Sequence, residues 1–168
     1  MANEKTQVQI DVVLVDDEKI KLSNELVSAW NAIDDALDDI KGYLKDRKEE
    51  IERQENTIST ARSELSKDIP DRAKLTLTQQ VLLALNTISQ IESDIHSYQT
   101  EKKAEIAKFE AIVNICKTKL NRGKDIRWVD AEIVKDFKAR TKTFVRTDTG
   151  EIVKTLPLND EDTQIGME

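Results

Sequence analysis

Residues 66–80, "SKDIPDRAKLTLTQQ", separate two long stretches of helical periodicity, and their reading decides the fold. Pro70 inside a helix would remove a backbone hydrogen bond and clash with the preceding turn, so one helix must end before it. Thr76 or Thr78 can then cap a second helix, because a short hydroxyl side chain accepts from an orphan amide at a helix start.

From about residue 22 to 66 the apolar positions step by three and four. One row is Trp30, Leu37, Leu44, Ile51, Ile58 and Leu65; the other is Leu26, Ile33, Ile40, Arg47, Gln54 and Ala61. Taken as a and d, they make about six heptads without a slip, the pattern of a coiled coil. A helix of ~45 residues is ~67 Å long and needs a partner along its length. A second helical stretch runs from about 78 to 121 and meets a stop at Asn121–Gly123, with Lys117, Lys119 and Arg122 near its negative end. The dozen or so residues between cannot retrace ~67 Å at ~3.3 Å each and also turn, so the helices fold back antiparallel. Charge agrees: residues 22–69 carry 12 acids and 7 bases, and residues 70–124 carry 6 acids and 9 bases.

The two stretches read as copies. Shifted by 55 positions, Leu22, Ala29, Asn31, Ile33, Asp39, Ile40, Tyr43, Lys48, Glu50, Ile51, Glu55 and Leu65 meet identical residues, and Arg47 meets Lys102. This spacing implies an internal duplication. Arg47 and Lys102 interrupt the d row in both copies, where a charge sets register or snorkels to the edge. Antiparallel pairing puts Arg47 near Tyr98 and Gln99, and Lys102 near Ile40 to Leu44. The second stretch has a wider apolar face (Ala84, Ile91, Tyr98 and Ile112 flank its rows), which predicts a homodimer or a foreign partner.

The chain divides into an N-terminal arm with a short strand (1–21), the hairpin (22–124), a β meander (125–158) and an acidic tail (159–168). The fold class expected is mainly α: a long antiparallel helical hairpin with a small C-terminal antiparallel meander. "RWVDAEIVKDF" puts Val129, Ala131, Ile133 and Phe137 on one side of a strand, "ARTKTFVRT" continues, and Asp148-Thr149-Gly150 turns before "EIVKTLPL". The N-terminal strand is free to join this sheet.

The stretch from Leu82 to Gln164 carries "ALN.I" at 84–88, "LNRGKDIRWVDAEIV" at 120–134, "RTDTGEIV" at 146–153 and "EDTQ" at 161–164. On these motifs it resembles a group of small phage-encoded coiled-coil proteins of unknown function. The resemblance covers about half the chain and implies a phage context. It brings no activity and no functional residue, and the first helix departs from the group's pattern.

Chemistry has little to stand on. The lone His96 has no Cys or second His near it in sequence, and acid–base work needs a positioned companion. Cys116 is the only cysteine, so no intrachain disulfide forms, and its d position reads as a core thiol. No Gly-rich phosphate loop and no Cys-x-x-Cys pair is present. One Asp-Thr-Gly triplet in a hairpin is a turn, since aspartic-protease chemistry needs two such loops. The expectation is therefore no enzyme, no cofactor and no metal site.

Two surface features remain. Asp34, Asp35, Asp38 and Asp39 in "DDALDD" lie at e, f, b and c if Leu37 is a, away from the seam; they form a candidate partner-binding acidic patch or a solvated helix face. A metal role would need a second acidic motif, but the duplicate positions are Ser89, Gln90, Ser93 and Asp94. Trp128, Lys138, Arg140, Lys142, Phe144 and Arg146 form a candidate basic and aromatic surface, since stacking platforms beside cations hold single-stranded nucleic acid. Against that, the net charge of the chain is −7. No apolar run approaches the ~20 residues of a membrane helix, and no signal peptide is evident, so a cytoplasmic setting is expected. The functional expectation is a protein-interaction module, phage-derived, that binds and inhibits a host nucleic-acid-processing or defence protein. The alternatives are an assembly coiled coil and a nucleic-acid accessory protein acting through the meander. A protein partner and a homodimer are the partners expected first.

Overall fold

The structure, a computed structural model, describes residues 4–159 and residue 162. In chain order it contains β1 (Glu4–Val13), α1 (Asp16–Leu65), α2 (Asp71–Arg122), β2 (Lys124–Asp136), β3 (Thr141–Arg146) and β4 (Ile152–Pro157). The architecture is a long helical hairpin with a small antiparallel sheet, as periodicity predicts. Two compact units result: residues 21–117, and the flanking chain on both sides. Of the expected acidic tail, only Asn159 and Asp162 lie within the described residues.

Both helices are longer than their apolar rows. Asp16, Asp17 and Glu18 fill the first turn of α1, where negative charge meets the positive helix end. The Val15 amide donates to Glu18 Oε2 at 3.1 Å, half of a capping box. α2 starts at Asp71, directly after proline, because the Pro70 carbonyl accepts the first helical bond from Lys74 N at 3.1 Å. Thr76 and Thr78 are therefore not caps. Both sit inside α2, and their hydroxyls donate back to the Arg72 and Lys74 carbonyls at 3.1 and 2.8 Å. At the far end Gly123 takes φ 64° and donates to the Lys119 carbonyl at 2.9 Å. This left-handed stop suits glycine and leads straight into β2.

Three contacts define the hairpin. Cys116 Sγ lies 4.0 Å from Glu25 Oε2, Lys102 Nζ lies 3.2 Å from Asp39 Oδ2, and the rings of Tyr43 and Tyr98 stack at 4.0 Å. As the number on α1 rises, its partner's number on α2 falls in step, so the helices run antiparallel in fixed register. The d row of α1 faces α2 throughout. The a row does so only from Leu44 onward; before it, Ala29, Ala36 and Tyr43 turn inward. A straight helix drifts ~20° per heptad against a strict seven-residue repeat, so its inward positions change from d and g to d and a. α2 makes the same change: Ala84, Ile91 and Tyr98 turn inward first, then Ile106, Val113 and Leu120.

The sheet has strand order β1-β2-β3-β4, all antiparallel. β1 pairs with β2 from Glu4↔Ile133 to Val13↔Lys124, and β3 pairs only with the last part of β2, from Ala131 to Asp136. One face holds the core of Val8, Ala131 and Phe144, with Val129, Ile133 and Val153 against it. Phe137 is not part of that row. It lies in the β2–β3 turn and is exposed, because the Asp136 carboxylate accepts from the Lys138 and Ala139 amides at 2.9 and 3.0 Å and ends the strand. Gly150 takes φ 73° in the β3–β4 turn, and its amide donates to the Arg146 carbonyl at 3.0 Å.

Candidate interaction surface

The inward turn of Ala29 and Ala36 has a direct consequence for α1. Trp30 and Leu37, expected in the seam, are 45% and 43% exposed. Val27 is also exposed. The residues Val27, Trp30, Asp34, Leu37 and Asp38 follow three- and four-residue steps, so they share one outward strip of the helix. A large indole and a leucine therefore lie among carboxylates on the open side of α1.

The four aspartates do not behave alike. Asp34, Asp35, Asp38 and Asp39 are all exposed, and Asp38 Oδ1 accepts from Lys41 Nζ at 3.2 Å. Asp39 belongs to the hairpin as well, as the cross-helix partner of Lys102 at 3.2 Å. With d and g inward, position c borders α2, which brings Asp39 within reach. All four carboxylates thus stay at the surface, and Asp39, 61% exposed, is also tied to Lys102 across the hairpin.

Arg47 and Lys102 flank the stacked tyrosines at the middle of the hairpin. The Arg47 guanidinium lies 5.0 Å over the Tyr43 ring and bonds Glu50 at 2.7 Å. Lys102 Nζ lies 6.0 Å over the Tyr98 ring and bonds Glu105 at 3.0 Å. The same offset of 55 relates the tyrosines, the cations and the glutamates, so the cluster has an approximate two-fold at the ring stack. The carboxylates of Glu105 and Asp39 raise the Lys102 pKa. Arg47 Nε is buried with no hydrogen-bond partner; its cation rests on the Tyr43 ring and Glu50. Lys102 lands one residue short of the expected Ile40–Leu44 window.

The basic and aromatic set of the sheet is not one surface. Trp128 pairs with Gln9 and is 63% exposed on the face opposite the core. Phe144 is buried in the core, beneath Lys154 at 4.5 Å. Lys142 and Arg146 share the Phe144 side by strand alternation, and Lys138 and Arg140 occupy the β2–β3 turn. The strand cations are also engaged. Lys142 bonds Asp162 at 2.7 Å, and Arg146 clamps Asp148 through two bonds of 2.9 and 2.7 Å. That clamp holds the Asp148 carboxyl below its ordinary range. Sequence alternation alone could have split Trp128 from the others, but the strand pairing was needed to apply it.

His96 is exposed on α2, and Cys116 is buried in the seam. Among the described residues no group of three His, Cys, Asp or Glu side chains is placed to hold a metal ion. No helix among them is long and apolar enough to cross a membrane. A recess of about 610 Å³ opens beside β1, walled by Gln9, Asp11, Val13, Arg146, Glu151 and Ile152; its arginine pairs with Glu151 at 3.5 Å. Compared with protein-family models, with curated proteins and with solved structures, the chain matches none.

Proposed function

We infer that this chain is a non-enzymatic interaction protein that works through the outward strip of α1. The observation that carries the reading is the half-exposed Trp30 and Leu37 set among Asp34 and Asp38. Tryptophan supplies more binding energy per residue than most side chains when a partner desolvates it. The carboxylates select a partner whose matching groove is rimmed by arginine or lysine, and they speed encounter with it. Proteins that handle nucleic acid carry such basic surfaces to meet phosphates. Together with the phage-like resemblance, this supports a host nucleic-acid-processing or defence protein in the cytoplasm as the target, and occlusion of its basic surface as the effect.

The test is capture of a partner from host lysate by the whole chain, with two variants alongside. Trp30→Ala is expected to weaken binding at least ~10-fold, about 1.4 kcal/mol. Asp34→Asn with Asp35→Asn and Asp38→Asn is expected to slow association and to flatten its salt dependence. Equal capture by wild type and both variants, with helical content unchanged, would sink the proposal. A salt-sensitive shift of single-stranded DNA at low salt would instead revive the meander as a nucleic-acid surface.

A further inference from the structure

The N-terminal half of α2 carries a second surface. Leu77, Val81, Ala84, Ile88 and Ile91 face α1, while Leu75, Gln79, Leu82, Leu83 and Asn86 make a separate outward strip at i, i+4, i+7, i+8 and i+11. Leu75, Leu82 and Leu83 are 60%, 56% and 69% exposed. From 75 to 91 no side chain is charged, in a chain where 35% of residues are. The threonines of this segment need no water. Thr76, Thr78 and Thr87, which flank the strip, donate to the Arg72, Lys74 and Leu83 carbonyls at 3.1, 2.8 and 2.9 Å. The strip's own polar members are two neutral side-chain amides, Gln79 and Asn86, so covering it desolvates no charge.

Charge decides what covers it. Two copies of a chain with net charge −7 repel, and contact along α1 would oppose carboxylates. A surface without charge is the one part of the hairpin that meets its own copy without that penalty, and it offers a charged partner nothing to pair with. We propose that residues 75–91 form a self-association surface, on which α2 of a second copy of this chain lies antiparallel about a two-fold near Leu82 and Leu83. A closed two-fold contact is the commonest way for identical chains to pair. The segment is ~25 Å long, less than the ~800 Å² per partner of a standard interface requires from one helix strip, so the dimer is micromolar rather than permanent. This surface is separate from the α1 strip, and either proposal stands if the other fails.

Sedimentation equilibrium over roughly 1–200 μM spans that affinity. Wild type is expected to move from monomer to dimer, and added salt leaves the dimer intact or strengthens it by screening the net charge. Leu82→Glu with Leu83→Glu, both on the outer side and both into a good helix former, is expected to stay monomeric with unchanged helical content. As a check that does not depend on that variant, Leu83→Cys joined by a short bismaleimide should give a covalent dimer; Cys116 is buried and out of reach. Ile115→Cys, also on an exposed α2 site, should not. A wild-type monomer at every concentration overturns the proposal. So does a dimer that survives the double glutamate change, or one that salt dissociates.

Discussion

Asp162 is held by three groups of the sheet unit, and its titration carries a pH signal. Its oxygens accept from Lys142 at 2.7 Å, from Lys135 at 3.3 Å and from the Asn159 amide at 3.1 Å. The Asp162 amide returns a bond to Asn159 Oδ1 at 3.0 Å, a reciprocal pair of the capping-box kind. The lysines and the amide pull its pKa down to about 2. A carboxyl with a folded pKa below its ordinary value, ~3.9, stabilises the fold above that value and loses the contribution as pH falls through the folded one. The attachment of this segment to β2 and β3 is therefore expected to weaken between about pH 4 and pH 2, read from the Asp162 carboxyl resonance and nearby amides. Asp162→Asn should remove that transition; a transition of the same midpoint in the variant would assign it elsewhere. Arg140 is the other telling residue, with φ 54° in the β2–β3 turn. That backbone region costs a side-chain-bearing residue ~1–2 kcal/mol, and glycine loses ~0.5–1 in chain entropy. Arg140→Gly is expected to raise stability by up to about 1 kcal/mol in a thermal melt.

At the scale of the helices, the seam makes an ordering of mutations. Leu37 and Ile91 are both large apolar residues in long helices, yet only Ile91 is buried between them. Ile91→Ala should cost ~2–5 kcal/mol, because it leaves a cavity. Leu37→Ala should cost less than ~1 kcal/mol, as surface changes do. Urea unfolding of the full chain separates the two. A strict heptad seam along the whole of α1 would give Leu37 the larger penalty, so the order of the two values is the test. Ala29, Ala36 and Ala84 take inward places in the first half of each helix. Ala36→Leu would overfill that place and is expected to cost ~1–3 kcal/mol.

At the scale of the whole chain, both proposed contacts are outward strips of the hairpin. The α1 strip joins a tryptophan to carboxylates, and the α2 strip joins leucines to the neutral amides Gln79 and Asn86; they differ in charge, so salt should weaken the first proposed contact and spare the second. The hairpin, its antiparallel direction, the glycine stop at 123 and the turn at 150 were all legible in the sequence. Each rests on local rules: proline excludes helix interior, glycine admits positive φ, and a short connector cannot retrace a long helix. The inward positions were not legible. A seven-residue count and a 3.6-residue helix agree over two turns and part over six, so Trp30 and Leu37 fell in the seam rows while Ala29 and Ala36 fell outside them. The basic and aromatic set failed for a related reason, since its members are near in sequence but alternate across a pleated sheet. Sequence by itself determined the order of helices, strands and turns, though not their ends, because that order depends on neighbours along the chain. Only the tertiary structure decided which side of each element meets solvent, because that depends on the phase of one element against another, and here that phase is what exposes the tryptophan.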